Sequence, residues 1–134
     1  MSRDAKEVVV EFIRAAAEGR IEDSIALVDE NCECWFTGGG RVSREFFVNG
    51  MRMLLAATSG PGPILIKEIL QDGNRLAVEY ENRFPLRNGR LYNNHYHSKF
   101  VVENGKLTVI REYLDSAHVA EVLQGIAPHL SGSA

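Results

Sequence analysis

The sequence predicts an α+β fold: three helices followed by a long meander, with the helices gathered on one face of a cone-shaped, curved antiparallel sheet. Three observations carry this. Apolar residues recur at helical spacing through the first half, whereas the second half holds long runs rich in Val, Ile, Tyr and Phe. The breaker "SGPGP" (59–63) separates the two regimes. Three turn dipeptides, Asp72-Gly73, Asn88-Gly89 and Asn104-Gly105, then fall 16 residues apart, the pattern of matched strands joined by tight hairpins.

The elements follow in order. "DAKEVVVEFIRAAAEG" carries Val8, Val9, Phe12, Ile13 and Ala16 on one helical face, with Asp4 and Glu7 in capping-box positions and Gly19 as the stop. A short second helix places Ile21, Ile25 and Val28 together and ends near Asn31. "CECWF" alternates as a brief strand, broken by Gly38-Gly39-Gly40. That triplet lacks the Lys-Ser/Thr of a phosphate loop and reads as a turn. Ser43 caps a third helix through about Thr58. Strands are expected at 64–71, 75–86, 90–102 and 107–115, then a short helix at 117–124 ending near Gly125, with "APHLSGSA" as a tail. No linker or repeat divides the chain, so one domain spans 1–134. Long strands twist, the twist bends the sheet, and helices over a bent sheet leave a cavity at its mouth. The opposite sheet face also bears large side chains, which predicts a homodimer through it.

Composition narrows the function. With 134 residues, 45% apolar and 25% charged, the chain is long enough for a packed core. Its net charge of −3 and the lack of any Lys/Arg run argue against a nucleic-acid partner. No apolar stretch approaches roughly 18 residues, so no membrane span is expected, and "MSRDAKEVVVEFI" lacks a signal peptide's cleavage region. A cytoplasmic protein is the expectation. Cys32 and Cys34 have neither zinc-site nor redox-motif spacing and read as packing thiols. His95 and His97 offer two ligands from one strand and no matching third, so neither metal nor cofactor is expected.

The most informative residue is Glu112, in "VIREYLDSAH". Alternation puts Thr108, Ile110, Glu112 and Leu114 on one face, and Val109, Arg111, Tyr113 and Asp115 on the other. A carboxyl held between Ile110 and Leu114 against a cavity has its pKa raised by desolvation, which suits a general acid near neutral pH. Its cross-strand neighbour depends on the turn. A two-residue Asn104-Gly105 turn sets His97 opposite; a three-residue loop sets Tyr96 there. Asn94 and Tyr96 lie mid-strand, where an amide needs a partner, and are pocket candidates. Trp35 and Glu33 alternate with the cysteines and are candidates for the pocket wall. His118, beyond the last strand, reads as a surface residue.

"GRLYNNHYHSKFVVENGKLTVIREYLD" follows the pattern G-x-x-Y-x-N-x-Y-x-x-x-F, then G-K-[LI], then R-E-Y-x-D. This resembles the SnoaL-like branch of the nuclear-transport-factor-2-like superfamily, an α+β cone whose members include polyketide cyclases, ketosteroid isomerase, limonene epoxide hydrolase and the phenazine-biosynthesis A/B proteins. The order of elements agrees over about residues 4–124. The resemblance implies that Glu112 is the pocket acid and that Tyr96 faces it. It also implies that Glu79, Glu81 and Arg83 point inward, although alternation alone reads them as solvent-facing. An epoxide hydrolase's Arg-x-Asp pair falls on Glu79 and Glu81, so its Arg is missing. For the ketosteroid isomerase, Phe12 stands in place of a Tyr and Trp35 or Phe36 in place of the Asp base, so steroid isomerisation is not implied.

What the resemblance implies is a small organic ligand and cofactor-free acid–base chemistry, a cyclisation, isomerisation or hydration of a polyketide-like or other carbonyl-containing substrate. Glu112 would move the proton, Tyr96 and Asn94 would hold an oxyanion, and Glu79 or Glu81 would act as a second base, with Arg83, Trp35, Glu33 and Leu114 lining the site. The alternative is a non-catalytic ligand-binding or accessory protein of the same fold.

Overall fold

The computed structural model describes residues 4–123. The chain runs α1 (Ala5–Ala17), α2 (Ile21–Ile25), β1 (Val28–Phe36), β2 (Gly40–Val42), α3 (Arg44–Ala57), β3 (Ile64–Asp72), β4 (Arg75–Asn82), β5 (Phe84–Pro85), β6 (Leu91–Tyr92), β7 (His95–Glu103), β8 (Lys106–Tyr113) and α4 (Ser116–Leu123). The expected tail and Gly125 lie outside the described residues.

The α+β class stands, and the helices pack on one face of a curved sheet that does not close. The sheet is mixed rather than antiparallel throughout. Its order is β2-β1-β8-β7-β4-β3, and β1 lies parallel to β8. The expectation erred because "CECWF" was read alone. The strand begins at Val28, where the second helix has already ended, and its long excursion through β2 and α3 lets it return beside the last strand. The glycine triplet closes the β1–β2 hairpin, pairing Phe36 with Gly40.

The helices are placed by apolar faces. Val8, Val9, Phe12 and Ile13 of α1 and Phe47 and Val48 of α3 join Val78, Tyr80, Phe100, Leu107 and Ile110 of the sheet in one core. Ser43 caps α3 as expected, its Oγ accepting from the Phe46 N–H at 3.0 Å. Arg44 ties the start of α3 to β1 by donating to the Val28 and Asp29 carbonyls, each at 3.1 Å. Asp4, in contrast, makes no side-chain cap on α1.

The middle hairpin differs from the expected pair of unbroken strands. β4 stops at Asn82 and β7 starts at His95, and between them β5 and β6 form a separate two-stranded ribbon. The reason is local: Asn82 Oδ1 accepts from the Asn94 backbone N–H, and the Asn94 amide donates to the Asp115 carbonyl, so side chains take over from the ladder there. A second apolar cluster of Leu86, Tyr92, Val119, Val122 and Leu123 packs this ribbon against α4. Arg90 and Asn88 fasten that helix through the Glu121 and Val122 carbonyls at 2.8 and 3.1 Å.

The hairpin between β7 and β8 settles the register. Asn104 and Gly105 both have positive φ, 52° and 74°, as a two-residue type I′ turn requires, and Glu103 pairs with Lys106. Taken alone that turn would set His97 opposite Glu112. A bulge at Thr108, between the Val102–Leu107 and Val101–Val109 pairs, adds one residue and restores the other parity. Ser98 therefore stands opposite Glu112. Leu107 and Ile110, three apart, are both fully buried, which is the mark of the bulge.

Candidate functional site

Under α1, α2 and α3 the sheet carries two adjoining, partly open pockets, the two lobes of the candidate site. The first, of about 110 Å³, reaches between Phe12, Ala16 and Ile21 on one side and Leu55, Thr58 and Pro61 on the other. The second, of about 80 Å³, lies under α3 and is closed by Phe36, Leu114, Val119 and Leu123. Both lobes have Met51, Leu54, Tyr96 and Glu112 in their walls. Among the described residues lining either lobe, Glu112 is the sole charged side chain.

Glu112 is therefore a carboxyl in an apolar setting. Burial pushes its pKa from 4.5 up to about 7, against a smaller opposing pull from Tyr80. The Tyr80 hydroxyl donates to Glu112 Oε2 at 3.3 Å and lies 3.5 Å from Ser98 Oγ. The Tyr80 and Tyr96 rings stack in parallel with centroids 4.7 Å apart. Burial, then the Glu112 charge, holds the Tyr80 hydroxyl well above its ordinary value. Burial does the same for Tyr96, so both phenols stay neutral donors.

Beyond Tyr96 the polar chain continues. Its hydroxyl is 2.7 Å from that of Tyr92. Asn82 Nδ2 donates to the Tyr96 oxygen at 3.5 Å, and Asn94 Nδ2 donates to the Tyr92 oxygen at 3.2 Å. The two phenols share one hydrogen bond, so one O–H proton of the pair is left without a partner among the described residues. Tyr96 lines both lobes and Tyr92 the second, so that proton is available to a ligand oxygen.

Of the residues expected at the site, the structure brings Glu112, Tyr96 and Leu114 to the cavity and leaves the others elsewhere. Tyr96 is the diagonal neighbour of Glu112 on the same face, two residues beyond Ser98, rather than directly opposite. Asn94 is 1% exposed and its amide is fully committed, donating to Tyr92 and the Asp115 carbonyl and accepting from the His95 and Asp115 N–H groups. It braces the wall and is not among the residues lining either lobe.

Glu79, Glu81 and Arg83 lie on the outer sheet face, because Val78, Tyr80 and Asn82 take the inner one. The alternation was the better guide here. Glu81 is covered there by its own neighbours, Asn93 donating at 2.8 Å and Arg83 at 3.3 Å, with Lys67 at 3.5 Å. These contacts, the Asn93 amide first, hold its carboxyl down to about 2. Trp35 and Glu33 are on the same outer face. Arg111 sits 4.5 Å over the Trp35 ring, which also packs on Tyr113, while Glu33 pairs with Arg41 at 3.5 Å. They do not line the cavity.

The three-residue-loop parity puts Tyr92 and Ser98 on the Glu112 face, as observed, whereas Tyr80 and Asn82 are not singled out by the sequence. The available signal was a phenol in an inward alternation set, since a buried tyrosine hydroxyl requires a partner. His118, expected at the surface, stacks on Tyr92 at 5.6 Å and accepts the Asn93 N–H on Nε2 at 3.0 Å. Cys32 and Cys34 are free and buried. Among the described residues no group of His, Cys, Asp and Glu side chains is arranged to hold a metal ion, and no helix is long and apolar enough to cross a membrane.

Comparisons with known proteins agree with this fold. Residues 9–110 match the family described as the SnoaL-like domain. Among solved structures, the chain is similar to a putative isomerase from Bacillus subtilis, with a TM-score of 0.76, 18% identity, and coverage of 90% of this chain and 93% of that one. PrhC from Penicillium brasilianum gives a TM-score of 0.77 at 12% identity, covering 96% of this chain and 91% of that one. An NTF2-like protein of unknown function from Cytophaga hutchinsonii gives 0.66 at 19% identity, with 87% and 95% covered. At these identities the likeness is one of fold. No curated protein matches.

Proposed function

Because the chain belongs to the SnoaL-like domain family, whose fold binds small molecules, we propose that it performs cofactor-free acid–base chemistry on a carbonyl-containing organic substrate, polyketide-like in character. The observation that carries this reading is Glu112, a carboxyl desolvated to about pKa 7 where two apolar lobes meet. A group poised there both gives and takes a proton at neutral pH, which a cyclisation, isomerisation or hydration requires. Tyr80 holds the Glu112 carboxyl in place, and the Tyr92–Tyr96 pair offers the donor for an oxyanion developing on the substrate.

Glu112→Gln keeps the shape and removes the transferable proton. It is expected to fold, to bind ligand, and to lose turnover. Titration of the carboxyl carbons by NMR should place Glu112 near 7. A value near 4.5 together with unchanged turnover in the Gln variant would sink the reading.

A second reading, a non-catalytic binding protein, is favoured by the apolar walls alone. It predicts ligand binding with no chemistry in either form. We further propose a homodimer through the outer face bearing His95, His97, Arg111 and Tyr113, on the support that helices cover only the inner face. Free buried thiols fit residence in the reducing cytoplasm.

A further inference from the structure

We propose that the ligand is a neutral ketone with two apolar arms of unequal size, one seated in each lobe, with its carbonyl oxygen at the shared wall between Glu112 and the Tyr92–Tyr96 hydroxyls. The proposal rests on the reading that substrate reacts at Glu112 and adds the shape and charge of that substrate.

The two-armed shape comes from the wall. Glu112, Tyr96, Met51 and Leu54 belong to both lobes, so a molecule touching them in the first lobe meets side chains that also line the second. A ligand confined to one lobe would leave the other lined by side chains without contacts, a loss of dispersion that a second arm recovers. At about 110 and about 80 Å³, the lobes suit a single ring and a short alkyl chain respectively. The first lobe is smaller than the roughly 150 Å³ engineered cavity that takes up benzene, and its open mouth supplies the remaining room for a ring.

Neutrality comes from the charges. The lobes contain a carboxyl and no cation among the described lining residues, so a carboxylate or phosphate ligand would enter with no partner and against Glu112. The carbonyl comes from the donors. One phenolic proton of the Tyr92–Tyr96 pair has no acceptor among the described residues, and a neutral Glu112 carboxyl supplies a second O–H on the same wall. Two donors lining the same lobes without an acceptor partner call for an acceptor on the ligand.

The test uses 1-phenylpentan-3-one, whose phenylethyl and ethyl arms flank a ketone. In the wild-type protein, its phenyl protons should show NOEs to Ile13 and Ala17 methyls, and its ethyl protons to Val119 and Leu123 methyls. Contacts confined to one lobe, or no saturable binding up to the solubility limit, overturn the proposal.

By calorimetry the hydrocarbon 1-phenylpentane, lacking the carbonyl, and the anionic analogue 2-ethyl-4-phenylbutanoate should each bind at least about tenfold more weakly. Equal binding by either overturns the neutral-acceptor assignment. Ala16→Phe and Leu114→Phe, which fill one lobe each, should both weaken the ketone about tenfold; retention of affinity in either folded variant overturns the two-arm assignment. The NOE pattern decides the matter if a variant does not fold. Glu112→Gln is read separately. Unchanged turnover there defeats the chemistry while leaving the ligand shape intact, and one-sided NOEs do the reverse.

Discussion

Glu112 and Tyr80 are 3.3 Å apart in an environment that disfavours the charged carboxylate, and each sets the other's titration. Tyr80→Phe removes the single donor that draws the Glu112 pKa down, so that value should move above about 7 in an NMR titration. The same change should cost roughly 1 kcal/mol of stability, the usual net worth of a buried hydrogen bond. Stability should also depend on pH through Glu112. Its folded pKa is raised, so the protonated form's contribution is complete below pH 4.5 and is lost as pH rises through about 7. The span is on the order of 3 kcal/mol at most. Glu112→Gln, being uncharged throughout, should erase this fall. Urea unfolding of both proteins between pH 4.5 and 8 checks it, and parallel pH profiles would contradict the assigned burial.

At the scale of elements, the β7–β8 hairpin decides where Glu112 points, through two features that act together. Gly105 at φ 74° supports a two-residue turn, and the Thr108 bulge then shifts the pairing by one. Gly105→Val should cost about 1–2 kcal/mol in chemical denaturation, because a β-branched residue is strained in the left-handed region. Deleting Thr108 tests the bulge directly. Without the extra residue Leu107, Val109 and Ile110 alternate as a regular ladder, and Ile110 and Glu112 stay inward opposite Phe100 and Ser98. The expected result is a folded protein that retains ligand binding. Loss of binding in a folded deletion variant would show that Thr108 does more than set the register.

For the whole molecule, the open question is what covers the outer face. Trp35, Arg111 and Tyr113 form a stacked group there, and Leu65 and Leu70 are 58% and 60% exposed on the edge strand. A specific interface buries more than about 1,000 Å² in total, and this broad face has the extent to supply it. Sedimentation at micromolar concentration should give twice the chain mass, and Tyr113→Asp should shift it toward monomer. A wild-type monomer would refute the dimer.

The amino-acid sequence by itself determined the α+β class, the helix limits marked by Ser43, the three hairpin turns, and the inward set of Ile110, Glu112 and Leu114. These are local matters of periodicity, capping and turn chemistry, which few residues specify. It also held the correct alternation of Glu79, Glu81 and Arg83. Tertiary structure decided the rest. That β1 returns parallel to β8 depends on a contact between distant segments. That Ser98 rather than His97 or Tyr96 faces Glu112 depends on one bulge, and a one-residue offset has no signature in a period-two pattern. Tyr80 acquires its role because packing brings its hydroxyl to a carboxyl thirty-two residues away in the chain. Asn94 loses its expected role for the same reason: its amide is consumed by backbone that only the fold brings near.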